Sequence, residues 1–416
     1  MALEQTAIDW VNLLVTGKFD QAVEQFDNTM SAQITAGKLK EIWNSLVSQI
    51  GAFRDIKHLE TSMAGGYTLI VATCYFSTLP FNIQLAFNAN REIAGLYFRP
   101  ATEEVSYSPP DYVDTNSFIE AEVTIGTGQW QLPGTLTMPK GDGPFPAAIL
   151  VHGSGPNDRD ETVGGTKPFK DLAWGLASPS VAVLRYEKRT KQYPQEMATI
   201  MTAFTVQDEV IDDTLAAVTL LSAANGIDSR RIFVLGHSLG GMFAPRIASQ
   251  DSRIAGIIIL AGLTRKLEDA LLDQVNYLAL LDGTIDEKDA EQIKATEQLA
   301  KKVKDLNFKE GEVIIGAGKA YWQDLAQYDD VTTAQSLTIP IIILQGERDY
   351  QVTMEDFNRW EKGLKGKNNV IFKSYPGLNH LFIFGTNKST PDEYMQPGHV
   401  AKTVIEDIAA WITSQL

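Results

Sequence analysis

Apolar and polar positions change their rhythm twice along the chain. Ala7, Trp10, Val11 and Leu14 recur at helical spacing, as do Leu39, Ile42, Trp43 and Leu46. Residues 53–59, 67–77, 81–88 and 92–98 then read as strands, with turns at Gly65-Gly66 and Asn88-Ala89-Asn90. Helices followed by an antiparallel meander predict a small α+β domain over residues 1–100. Residues 101–116 carry Pro109-Pro110 among polar positions and read as a linker. Residues 118–125 and 130–138 alternate like a hairpin, with Pro133-Gly134 as a bulge or turn. Beyond Pro146 the alternation gives way to continuous apolar runs at 147–151, 181–184, 232–235, 254–261 and 339–344, followed by a more alternating one at 370–375. Helical stretches separate them, so strands buried on both faces form a largely parallel sheet in an α/β domain over 117–416. In 204–221, Val206, Val210, Thr214, Val218 and Leu221 line one face of a crossover helix, and Asp208, Glu209, Asp212 and Asp213 fall on other faces. An insertion at about 263–330 is helical, with Leu267, Leu271, Val275 and Leu278 as one stripe and Ile293, Ala300 and Val303 as another. Its place in the chain makes it a candidate cap.

Composition narrows the class. A chain of 416 residues exceeds one ordinary core and fits two domains. With 44% apolar and 21% charged residues, and no apolar run near the ~20 needed to cross a bilayer, a globular protein without membrane insertion is expected. A net charge of -16 argues against nucleic acid, which needs clustered Lys and Arg. The one cysteine, Cys74, excludes an intramolecular disulfide and sits in an apolar strand, where a small core residue is expected. The N-terminus lacks a basic segment followed by an apolar core, so a cytoplasmic protein is the expectation, unless a signal was removed.

Chemistry enters at Gly236-His237-Ser238-Leu239-Gly240-Gly241. A short apolar strand precedes it and a helix can follow, which places Ser238 on a tight strand-to-helix turn as a candidate nucleophile. Gly-x-Ser-x-Gly alone is a weak signal; the order of an acid and a histidine after it decides. The run 341–344 ends in a loop that carries Asp349, and the next strand ends in a loop that carries His380. Both fall at the C-terminal edge of a parallel sheet, where active sites of open α/β sheets collect. Glu347 and Asp356 compete with Asp349, but Asp356 should already be inside a helix. Of the other histidines, His58 lies in the first domain, His237 should point away from Ser238, His152 ends a strand and His399 begins the last helix. In the loop His152 to Glu161, glycines let the backbone turn its N–H groups toward an oxyanion, and the Ser154 and Leu239 amides are the candidate donors. Asp158, Asp160 and Glu161 stand beside Arg159 and Lys167, so an ion-paired loop is expected there in preference to a metal site.

Together the phrases Gly236 to Gly241, His152 to Asp160, Pro168 to Ala173 and Leu184-Arg185-Tyr186-Glu187-Lys188-Arg189 resemble those of bacterial α/β-hydrolase-fold esterases. The resemblance covers about residues 117–416. It implies a Ser238–His380–Asp349 triad, an acyl-enzyme, no cofactor and a small-molecule ester as substrate. The first domain is similar in pattern to domains like nuclear transport factor two, with Gly17-Lys18-Phe19-Asp20 opening the second helix. It is expected to serve homodimerisation or to wall the active-site entrance. Tyr321 and Trp322 are the candidate pocket aromatics, and a cap bearing them favours short acyl esters. A peptidase or acyl-thioesterase on the same triad is the alternative, and a binding protein on a hydrolase scaffold is a further one.

Overall fold

The computed structural model describes residues 3–64, 66–76, 80–100 and 107–415. It divides into two units, Met1–Ser106 and Tyr107–Leu416. Residues 101–106 of the predicted linker, and Gly65 of a predicted turn, lie outside the described residues.

In the first unit, helices Leu3–Val15, Phe19–Val23, Asn28–Gln33 and Ala36–Ile50 precede strands β1 (Phe53–Ala64), β2 (Tyr67–Phe76), β3 (Pro80–Phe87) and β4 (Ile93–Pro100). The strands form one antiparallel sheet in chain order. Trp10, Leu14, Trp43, Ile70, Ile83 and Leu85 make its core, and the buried Trp10 indole donates to the Ala22 carbonyl at 2.9 Å. Cys74 is part of this core, and burial, assisted by Asp55, pushes its thiol up to about 12. His58 is exposed on β1.

The second unit is built on an eight-stranded mixed sheet. Its strands are β5 (Phe118–Ile125), β6 (Leu132–Pro139), β7 (Phe145–Val151), β8 (Ala182–Tyr186), β9 (Ile227–His237), β10 (Ile254–Leu260), β13 (Ile341–Gly346) and β14 (Val370–Tyr375). A small separate hairpin, β11 (Val313–Ile314) and β12 (Ala317–Gly318), belongs to the insertion between β10 and β13. The order across the large sheet is β14-β13-β10-β9-β7-β8-β6-β5, antiparallel at the β5–β6–β8 end and parallel through the rest. Phe233, Val234 and Leu235 are wholly buried in succession, as are Ile257, Ile258 and Ile259. Consecutive strand residues face opposite ways, so both faces of the centre are covered.

Two local expectations give way. Pro133 and Gly134 form neither bulge nor turn; they pair in register with Thr124 and Val123 inside β6. A Cβ on Gly134 would stand 3.0 Å from the Arg185 carbonyl, so the glycine lets β8 approach. The predicted crossover helix begins as a π-turn, Gln207–Ile211, before the regular helix Asp212–Ser222. Glu209 in the π-turn and Asp213 in the regular helix, which periodicity places on other faces, are both buried in ion pairs with Lys188 and Arg189.

The insertion holds helices Leu267–Ala279, Glu287–Lys304, Lys319–Gln327 and Asp330–Ser336. Ala300 and Val303 are buried on the second of these, and Thr296 takes a place on the same face. Residues Tyr107 and Tyr112 are bound to the second unit: their hydroxyls donate to Asp171 at 2.7 Å and to the Val400 carbonyl at 2.8 Å. Asp171 also holds His399 Nδ1 at 3.0 Å, three residues ahead of the last helix, Lys402–Ser414.

Candidate active site

Ser238 stands between β9 and the helix Leu239–Gln250 at φ 54° and ψ -115°. A β-carbon disfavours that backbone, and such strain costs roughly 1–3 kcal/mol, so the surroundings must enforce it. They do so through glycine. A Cβ on Gly236 would lie 2.2 Å from the Gly240 carbonyl oxygen, and one on Gly240 would lie 2.3 Å from that of Val151. Strand, turn and helix therefore close to a distance no other residue permits. The helix N-terminus starts at the residue after the serine, which directs partial positive charge at any oxyanion formed there.

At the same sheet edge, the loop after β13 carries Asp349 and the loop after β14 carries His380. His380 Nδ1 donates to Asp349 Oδ2 at 2.6 Å. The carboxylate is fixed by three further donors: the Gln351 and Val352 amides at 2.8 and 3.0 Å, and Gln345 Nε2 at 3.3 Å. With Nδ1 committed as a donor, Nε2 is the basic nitrogen of the neutral ring. The competing acids are engaged elsewhere. Glu347 accepts from Ser374 Oγ at 2.8 Å, and Asp356 caps its own helix and grips Arg265 at 2.8 Å.

His237 does not point away, as expected from the turn; with Ser238 and His380 it lines a cavity of about 240 Å³. Its ring centroid is 4.7 Å from that of His380 and its Nε2 donates to the His380 carbonyl at 3.0 Å. Its Nδ1 lies 2.9 Å from Glu161 Oε2. Burial alone would push His237 down and Glu161 up; their mutual attraction outweighs it, raising the imidazole and lowering the carboxyl. This second acid–histidine pair was missed because its partners lie far apart in the chain, His237 at the end of β9 and Glu161 in the loop after β7. His237 belongs to one motif phrase, and Glu161 directly follows the other.

The loop from His152 is anchored along its length. Asp160 pairs with Arg185, Arg159 meets Glu187 and Glu122 at 2.8 and 2.7 Å, and His152 Nε2 donates to the Asp158 carbonyl at 2.9 Å. Burial pushes His152 down to about 4, which leaves it neutral. The Gly153 amide is taken by Glu161 Oε1 at 2.7 Å. A Cβ on Gly153 would lie 3.2 Å from that of Ser238, so the loop runs beside the serine. Ser154 borders the cavity of Ser238 and also a second, apolar one of about 440 Å³. The second is walled by Leu239, Met201, Leu267, Ile315, Tyr321 and Trp322. The structure thus brings Ser238, Asp349, His380 and Ser154 to one edge, with Leu239, Tyr321 and Trp322 around the adjoining cavity. An ester carbonyl seated at Ser238 would meet a base, an acid holding that base, and amides beyond.

Residues 201–387 match the family model described as Serine aminopeptidase, S33, and residues 7–96 match that of a Protein of unknown function (DUF3887). Over 411 residues the chain is 41% identical to Esterase EstD of Thermotoga maritima, covering 99% of this chain and 95% of that one. Among solved structures, an esterase of Pyrobaculum calidifontis is 14% identical, covering 71% of this chain and 85% of its own, with a TM-score of 0.48. Est1E from Butyrivibrio proteoclasticus is 17% identical, covering 71% and 98%, with a TM-score of 0.45. The chain belongs to the α/β-hydrolase-fold serine esterases, as a member that carries a small N-terminal α+β domain of unknown function. No helix among the described residues is long and apolar enough to cross a membrane.

Proposed function

We propose that the protein hydrolyses small carboxylic esters, with Ser238 as nucleophile, His380 as general base and then acid, and Asp349 holding the imidazole. The observation that carries this reading is that His380, paired with the buried Asp349, lines the same cavity as a serine on a strained turn. Ser238 Oγ adds to the carbonyl carbon as its proton passes to His380 Nε2, and the oxygen takes up negative charge at the Ser154 and Leu239 amides. As the C–O bond breaks, His380 returns the proton to the alcohol oxygen. Water, deprotonated by the same nitrogen, then releases the acid.

Because His380 must protonate the leaving alkoxide, the alcohol half belongs on its side, in the cavity lined by Tyr350, Gln351, Tyr394 and Asn157. The acyl half belongs in the apolar cavity beside Leu239. Its volume is in the lower part of the ~300–1,000 Å³ range of small-molecule sites, which suits short acyl groups. The match to an aminopeptidase model favours a peptide as the second reading. A free amine would need an unpaired carboxylate, and the acids lining the two cavities, Glu161 and Glu209, are already engaged with His237 and Lys188. The helices and antiparallel sheet of the first unit suit a domain like nuclear transport factor two, which would serve homodimerisation, and a cytoplasmic location fits the whole.

The test combines an organophosphonate with a substrate panel. Ser238 should be the labelled residue, and Ser238→Ala should lose about a millionfold in turnover. Among p-nitrophenyl esters, peptide amides and acyl-CoA thioesters, kcat/KM should be highest on the short acyl esters. A preference for peptide amides, or for chains beyond about ten carbons, would overturn the substrate reading with the nucleophile intact.

A further inference from the structure

The phrase Leu184 to Arg189 ends in two buried cations, and the chemistry above uses neither. Arg189 has its own partner in Asp213 on the helix Asp212–Ser222, at 2.5 Å. Lys188 is different. It is 3% exposed, and its Nζ donates to the Gly153 carbonyl at 2.8 Å while lying 2.7 Å from Glu209 Oε1. The other oxygen of Glu209 accepts from the Tyr321 hydroxyl at 2.6 Å. An ammonium is not retained in an interior without cause, since its desolvation cancels most of what an ion pair returns. The cause is legible in the peptide it grips.

The Gly153 carbonyl and the Ser154 N–H are the two ends of one peptide unit. That unit is trans, and in a planar trans peptide the two bonds point in opposite directions. Whatever holds the carbonyl therefore aims the amide. Lys188 holds it with a charge-assisted bond, and Asn157 Nδ2 adds a weaker one at 3.2 Å. On the preceding peptide, Glu161 fixes the Gly153 N–H at 2.7 Å. A cation on the carbonyl also draws electron density through the amide and strengthens the N–H as a donor. The second sign is that Glu209 lies in a π-turn, Gln207–Ile211, and such turns occur frequently at functional sites.

We propose that Lys188 and Glu209 are positioning residues for the oxyanion hole, aiming and polarising the Ser154 amide through the Gly153 carbonyl, and that Tyr321 ties this grip to the seating of the helix Lys319–Gln327. The inference rests on the reading of the Ser154 amide as an oxyanion donor. It makes the insertion more than a wall: Tyr321 reaches from it to the loop that receives the developing charge.

The experiment uses the full chain and four variants: Lys188→Met, Glu209→Gln, the double variant with both changes, and Tyr321→Phe. Each is measured for kcat and KM on a short p-nitrophenyl ester and for inhibition by a trifluoromethyl ketone, whose adduct with serine carries an oxyanion. The double variant buries no unpaired charge and is the one that should keep its melting temperature. It should still lose about 100-fold in kcat, with KM within about threefold, and bind the ketone weaker in the same proportion. Tyr321→Phe should lose about threefold to tenfold in kcat, with the same split. A folded double variant that keeps its kcat and ketone affinity, or one whose loss falls on KM alone, overturns the proposal. Should the double variant not fold, Glu209→Gln and Tyr321→Phe decide by the same criteria. Ser238→Ala separates the two readings. If it retains turnover, the site itself is misread; if it is inactive while Lys188 and Glu209 prove dispensable, only this inference falls.

Discussion

Glu161 and His237 show how one contact can serve two segments of the proposed site. The carboxylate holds the Gly153 amide and the imidazole holds the carbonyl of His380, so the pair joins the oxyanion loop to the base. Its pH dependence follows from the opposed shifts. A raised His237 stabilises the fold fully below the ordinary value of 6.5, and this is lost as pH rises through its higher folded value. A lowered Glu161 contributes above the ordinary 4.5, and this is lost as pH falls through its lower folded value. The pair's contribution is thus complete between about 4.5 and 6.5 and declines on either side. Melting temperatures of wild type and Glu161→Gln, taken across pH, should diverge most inside that window. Parallel curves would show that the pair carries no charge.

At the scale of elements, the helix Asp330–Ser336 begins on a buried acid. Asp330 Oδ1 accepts from the Val331 amide at 2.7 Å, while Oδ2 is buried without a partner among the described residues. Burial raises this carboxyl to about 7. The folded chain therefore holds a proton that the unfolded chain releases near 3.8, and stability falls as pH climbs from there toward 7. Asp330→Asn should melt higher than wild type at pH 8, by a margin that shrinks at pH 5 and closes toward pH 3.8; the reverse order would refute the assignment. Elements such as this mark where the sequence stops being readable. The central strands were legible because continuous apolar runs have one stable use, and Ser238, Asp349 and His380 because each follows a strand in the order serine, acid, histidine; the strand before His380 is the alternating one at the sheet's edge. Glu209 and Asp213 were not legible, because the helical pattern assigns both acids to polar faces, whereas the buried cations Lys188 and Arg189 draw them inside. Pro133-Gly134 misled for a related reason: turn-forming residues were read locally, whereas the neighbouring strand β8 decides their use. Lys188 lay in a recognisable phrase, but its partner is a peptide 35 residues away.

For the whole molecule, the two units have separate cores, and every residue assigned a role in catalysis belongs to the second. A chain begun at Tyr107 should therefore keep its kcat/KM on a short ester within about threefold, because a unit with its own core can fold alone. Gel filtration of the same chain tests the first unit: a dimer reduced to a monomer supports a role in assembly. If truncation changes neither oligomeric state nor substrate range, that role is wrong.

The strand order has a consequence for the molecule's birth. β9 and β14 stand three places apart in the sheet, yet about 140 residues separate Ser238 from His380 along the chain. A ribosome adding ~5–20 residues per second needs roughly 7–30 s to cover that distance, and longer before the last helix emerges to cover the sheet. Throughout that interval the nascent chain carries Ser238 without the base proposed for it. On the proposed triad, it is chemically silent until the loop after β14 has been made.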